Sequence, residues 1–228
     1  MMARIASFHL TRWHSSIAAM ASLGAHRLAL RSVPGLEFWR LLGTGKGNDT
    51  TPSVDLRRTA MFAVWASEAD CERFMSSHAV PRRWAREDES WSTRLKVVSG
   101  GGAWRGVRVG EVVDQVAVDG PIAVVTRANV RLRSWRSFGV AGHPVNADLH
   151  RADGLIDVVG IGEAPVGKLG TFSLWRSASH IEQWAYGSPE HREVMRRTRD
   201  EQWYSEEMFV RFAPYASMGT WGGRDPLG

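Results

Sequence analysis

His191 stands in the stretch "GSPEHREVMRRTRDEQWY", Gly187 to Tyr204, three residues into a run that reads as a helix. Gly187 breaks the preceding helix. Ser188 can cap the next one, with Pro189 at its first position. His191 then lies in the first turn, where the helix dipole disfavours an imidazolium and keeps the ring neutral, as a metal ligand must be. Val194, Met195 and Thr198 follow at i+3, i+4 and i+7 and form a mostly apolar face. Arg192, Arg196, Arg197 and Arg199 fall on other faces. An inward imidazole between tryptophans, with no second ligand at metal spacing, suits haem better than zinc, because haem asks for one axial side chain and an apolar slot. The same pattern fits a hydrogen-bonded core histidine or a surface histidine at a helix start. Spacing alone does not choose among the three.

Other residues compete for attention. Thr126 and Arg127 close a strand, as Thr11 and Arg12 do earlier in the chain. An arginine at a strand end can pair with a propionate or another carboxylate, or simply stand in solvent. Arg211, within "FVRF", alternates with aromatics and is an anion partner only if it faces a cavity. "GTGKGNDT" (Gly43–Thr50) lacks the spacing of a phosphate loop and no helix pattern follows it, so it reads as a strand connection. Cys71 sits among Glu68, Asp70 and Glu72, an acidic setting that opposes a thiolate; it reads as core or rim. Glu87, Asp88, Glu89, Asp200 and Glu201 read as solvated helix faces. No Ser–His–Asp arrangement stands out.

The whole chain narrows the classes. Its 228 residues suffice for one large domain or two small ones. Eleven tryptophans suit a core, or a pocket for a large flat or apolar ligand. One cysteine excludes an internal disulfide, a multi-cysteine zinc site and a cysteine-held iron–sulfur cluster. It fits a reducing compartment, and the cytoplasm is the expected location. The charge of +5 is spread without a basic block, which argues against nucleic acid as a partner. The first 36 residues carry no Asp or Glu, a faint likeness to a targeting peptide, but "ARIASFHL" alternates like a strand. No apolar run approaches the roughly 20 residues that span a bilayer.

The elements that must position these residues occur twice. "PGLEFWRLLGTG" (Pro34–Gly45) resembles "DGLIDVVGIGEA" (Asp153–Ala164), and "TAMFAVWASEADCERF" (Thr59–Phe74) resembles "GTFSLWRSASHIEQW" (Gly170–Trp184). Phe62 then matches Phe172, Trp65 matches Trp175, Ser67 matches Ser177 and Phe74 matches Trp184. "REDESW" pairs with "TRDEQW", "GGAW" with "MGTW", and "FHLTR" (Phe8–Arg12) with "AVVTR" (Ala123–Arg127). Five matches in one order argue for tandem duplication. Each half reads strand, helix, strand, strand, helix, strand, the ferredoxin-like pattern. Ser179 and Glu182 offer a capping box to the helix bearing Trp184. The expected fold class is α+β: tandem duplicated ferredoxin-like units of the dimeric α/β-barrel type, with antiparallel sheets and helices outside. The expected halves are 1–106 and 121–228, the second carrying the proposed haem site, with a linker over 107–120. His78 lies near the counterpart of His191 but does not align with it.

Three segments, "GIGEAPVGKLGTFSLWRS", "AYGSPEHREVMRRTRDEQWYSEEMFVRFAP" and "GTWGGRDPL", together with "LLGTGKG" and "DLRRTAMFAVW", resemble the spheroidene monooxygenase family of carotenoid ketolases. The likeness runs from about Gly35 to the C-terminus. It implies a haem monooxygenase that takes electrons from a reduced ferredoxin-type donor and inserts oxygen into an apolar small molecule, such as a carotenoid. It nominates His191 as the iron ligand, with Trp184, Tyr186 and Met195 as pocket wall and Arg127 or Arg211 on a propionate. Thr126 and Arg127 are the expected catalytic groups on the oxygen side. Rival expectations are another haem enzyme of the same barrel, aldoxime dehydratase-like or haem-degrading, and a non-enzymatic haem or ligand carrier. A homodimer and a peripheral membrane contact stay open.

Overall fold

The computed structural model describes residues 4–45, 54–110, 118–163 and 168–228. The strand connection read at Gly43–Thr50 and the expected linker therefore lie partly outside the described residues. The first repeat runs β1 (Ile5–Arg12), α1 (Ser16–Ala29), β2 (Leu36–Gly45), β3 (Val54–Trp65), α2 (Glu68–Ser77), α3 (Ala79–Trp84) and β4 (Glu89–Gly102). The second runs β5 (Ile122–Val130), α4 (Trp135–Leu149), β6 (Leu155–Gly162), β7 (Lys168–Trp175), α5 (Ala178–Gly187), α6 (Pro189–Asp200) and β8 (Tyr204–Gly219). Strand order is β4-β1-β3-β2 in the first sheet and β8-β5-β7-β6 in the second. The α+β class and the duplicated ferredoxin-like unit hold.

The chain forms two compact units, one of residues 1–44, 55–97 and 214–228, the other of 45–54 and 98–213. These bounds differ from the sequence halves at 45–54, 98–106 and 214–228. At the last two the reason is strand length. β4 is paired with β1 only from Glu89 to Leu95, and β8 with β5 only from Tyr204 to Phe212, so the end of each strand outruns its own ladder.

In each unit one face of the sheet is covered by helices. In the first, Ile5, Met61, Ala63 and Trp65 pack with Ala19, Cys71, Phe74, Val80 and Trp84. In the second, Ile122, Val124, Val158 and Trp175 pack with Leu149 and Ile181. Cys71 is fully buried core, and burial pushes its thiol up to about 11.

Pairing corrects one alignment. Phe8 lies opposite Phe62 and Val125 opposite Phe172, so Phe8 corresponds to Val125. His9 then corresponds to Thr126 and Leu10 to Arg127; Thr11 and Arg12 do not. A slip of two residues keeps every side chain on its face, so alternation could not detect it. Local capping is corrected too. α5 starts at Ala178 behind Ser177, ahead of the expected box at Ser179. Ser188 closes α5 and caps α6, its Oγ accepting from the His191 N–H at 3.1 Å, with Pro189 at the first position as expected. None of the five acids is an idle surface charge: Asp88 pairs with Arg57, Glu89 with Arg58 and Asp200 with Arg196. Glu87 is paired with His14 and Arg83, and Glu201 accepts from Arg197, Ser137 and Trp203.

Candidate functional site

His191 is half-buried on α6 beside Val194 and Met195, with its ring 4.5 Å from that of Trp184. Its Nδ1 lies 2.9 Å from the Ala185 carbonyl. A carbonyl only accepts, so Nδ1 carries the proton and Nε2 keeps its lone pair. Nε2 has no hydrogen-bond partner among the described residues. Trp184 donates through Nε1 to Asp148 Oδ2 at 2.9 Å, which brings the ends of α4 and α5 and the start of α6 to one place. Burial holds the His191 pKa below its usual value, while the Ala185 carbonyl and the Asp148 charge oppose that fall. The result is a neutral imidazole whose basicity is supported from its Nδ1 side.

The two units differ at α6 and across the middle of the sheet. His78 joins α2 to α3 as Ser188 joins α5 to α6. Counted from these caps, Pro81 corresponds to His191 and Trp84 to Val194. α3 buries Val80, Pro81 and Trp84, whereas α6 buries nothing. The sheet shows the same contrast. Across the first sheet His9 sits between Met61 and Ser92, and all three are buried. Across the second, Thr126 sits between Thr171 and Phe209. Thr126 and Phe209 are exposed and Thr171 is half-buried.

Beside Thr171 comes Gly160. Gly35 and Gly154 share positive φ values of 74° and 77° and accept equivalent N–H groups, of Ala66 and Arg176. Counted from them, Gly160 corresponds to Leu41. In the first unit His9, His26, Leu41, Met61 and Trp84 close together and leave no room for a water. In the second, leucine becomes glycine, methionine and histidine become threonines, and tryptophan becomes valine. At the centre of the helix-covered face Thr126 is exposed, Thr171 half-buried and Gly160 buried, while Phe209 stands where the first unit has Ser92.

The expected site residues divide. His191, Trp184 and Met195 come together. Thr126 lies on the helix-covered face, where it is exposed. Arg127 is a correction. Successive strand residues point to opposite faces, so it lies on the other side of the sheet from Thr126. It is 3% exposed there and ion-paired with Glu206. Glu206 also accepts the N–H groups of Arg105 and Gly106, so Arg127 ties a loop and serves no shared site with Thr126. Tyr186 is a second correction. It follows Trp184 by two residues, about 200° around the helix, and is 65% exposed. Arg211 is half-buried and paired with Glu182 of α5 at 3.1 Å, so any ligand carboxylate would compete with that partner. Sequence reading missed Asp148, the Ala185 carbonyl, Gly160 and Thr171. The internal repeat held the signal for the last two, in the alignments that set Leu41 against Gly160 and Met61 against Thr171.

Among the described residues no three His, Cys, Asp or Glu side chains converge. A group that asks for one imidazole ligand would find it in His191, whose Nε2 has no hydrogen-bond partner among those residues.

No family model matches the chain. It is 31% identical to a spheroidene monooxygenase of Rhodobacter capsulatus over 204 residues, covering 88% of the chain and 85% of that protein. It is 32% identical to one of Rubrivivax gelatinosus over 192 residues, covering 84% and 73%. Among solved structures, an aldoxime dehydratase bound to butyraldoxime shares the fold, with a TM-score of 0.61 and 10% identity over 93% of this chain and 79% of that one. With identities above 30% over most of both chains, and the fold as the repeat required, the chain belongs to the spheroidene monooxygenase family.

Proposed function

We propose that the protein is a haem-dependent monooxygenase acting on an apolar, carotenoid-like substrate, with a reduced ferredoxin-type protein as electron donor. The observation that carries this reading is the His191 Nε2 lone pair, held outward by the Nδ1–H bond to Ala185, beside a helix-covered face stripped of its filling side chains. Bound there, the haem supplies the oxygen chemistry, which per oxygen inserted consumes one O2, two electrons and two protons and releases water.

The chain's residues do the rest. His191 binds the iron. The Ala185 carbonyl holds the ring in one tautomer, and the Asp148 charge keeps it basic. Trp184 and Met195 wall the slot and exclude water. The Thr126 hydroxyl would be a proton donor on the sheet side. Arg211 is a propionate partner in exchange for Glu182. The net charge of +5 favours an acidic donor protein.

The test is an absorption spectrum of haem-reconstituted protein beside His191→Ala. A strong Soret band that is lost or shifted in the variant supports the reading. A parent that takes up no haem overturns it. Turnover without any electron donor would point instead to dehydration chemistry on the same fold.

A further inference from the structure

Helix α1 is apolar on both sides. Ala19, Ser22 and His26 are buried on the side facing the first unit's core. The opposite stripe is Ile17, Met20, Ala21, Gly24, Ala25 and Leu28, exposed at helical spacing, with Ile17 80% and Leu28 65% accessible. A side chain built on Gly24 would meet nothing within 4 Å. The outer face of a surface helix ordinarily carries charged and polar residues. A continuous apolar stripe in its place marks a docking surface.

Residues 1–36 contain no Asp or Glu, and the acid that reaches this segment, Glu87 beside His14, is itself paired with Arg83. Arg12, Arg27 and Arg31 are exposed, and Arg27 and Arg31 make no ion pair with a described residue. An apolar stripe flanked by cations matches the interface of a bilayer rich in anionic phospholipid, where the side chains enter the acyl boundary and the arginines meet headgroup phosphates. At 14 residues α1 is roughly 21 Å long, too short to cross the hydrocarbon layer, and no helix among the described residues is long and apolar enough to do so. A second copy of the chain suits the stripe less well, since a two-fold contact brings the same arginines toward each other.

We propose that the exposed face of α1 docks the protein side-on to an anionic phospholipid surface. The proposal does not depend on the haem reading. Its test is co-sedimentation of the full chain with vesicles of phosphatidylglycerol and phosphatidylcholine, beside vesicles of phosphatidylcholine alone. The parent binds the anionic vesicles more tightly, and added salt weakens the binding. Met20→Glu/Leu28→Glu lowers partitioning by about tenfold or more. Arg27→Gln/Arg31→Gln removes the anionic preference. These positions are exposed, and an unchanged far-UV spectrum and melting midpoint show that the variants fold. No binding by the parent, or equal binding by Met20→Glu/Leu28→Glu, overturns the proposal. A parent that is dimeric in light scattering, binds no vesicles and becomes monomeric in that variant would assign the stripe to a second copy and overturn it as well.

Discussion

At His191 a neutral ring and an open nitrogen follow from one hydrogen bond. The first unit shows the alternative. There the ladder of rings is Trp65, Phe74 and His78, with centroids 5.0 Å apart at both steps, and His78 spends its Nδ1 on the Val80 N–H as a helix cap. In the second unit the ladder is Trp175, Trp184 and His191. Ser188 takes over the capping, which leaves the imidazole available three residues later. Replacing His191 by Ala removes the proposed iron-binding nitrogen, so the Soret band of the loaded protein is expected to be lost or shifted. Asp148→Asn is a finer probe. The amide oxygen can still accept from Trp184, but the charge that supports His191 is gone. The ring becomes a weaker base, and the reduction midpoint of the loaded protein is expected to rise in spectroelectrochemistry. An unchanged midpoint would assign Asp148 to packing alone. His191 and Trp184 were legible in sequence because a cap and a 3.6-residue period place them. Asp148 was not, because its partner comes from another helix.

Elements decide whether that nitrogen faces solid core or space. The row Gly160, Thr171, Thr126 and Phe209 crosses the second sheet where the first carries Leu41, Met61, His9 and Ser92. Refilling the row with first-unit residues, in Thr126→His/Thr171→Met, is expected to abolish haem uptake in a spectral titration. Uptake of iron-free protoporphyrin, followed by fluorescence, is expected to fail with it, since that ligand needs the space and not His191. The fold should survive, because the first unit already accommodates these side chains at the same strand positions. Full porphyrin binding by a folded variant would place the ligand elsewhere. Thr126 and Arg127 teach the same lesson from the strand side. Adjacent in sequence, they serve opposite faces, and a strand's period of two forbids them a common site.

For the molecule as a whole, two buried histidines set an acid limit. Burial pushes His9 down to about 3, and burial with the nearby Arg83 charge pushes His26 down to about 4. In the unfolded chain both take a proton near pH 6.5. The unfolded state therefore binds more protons as pH falls below 6.5, and stability falls with it by about 1.4 kcal/mol per pH unit for each histidine. Urea midpoints between pH 7.5 and 5 should record a loss of roughly 4 kcal/mol from the pair. His9→Thr, which installs the second unit's residue, should flatten that slope by one histidine's share. A pH-independent midpoint would mean the two rings are protonated in the native state. The sequence alone determined the duplication, the α+β elements and the helix start at His191, because caps, turn glycines and hydrophobic period are local signals repeated in both halves. Only the tertiary structure decided the strand register, the ladders that β4 and β8 outrun, the burial of Arg127 on the far face and the exposure of Thr126. Each of these depends on which strand lies opposite which, and a two-residue slip leaves the local pattern unchanged.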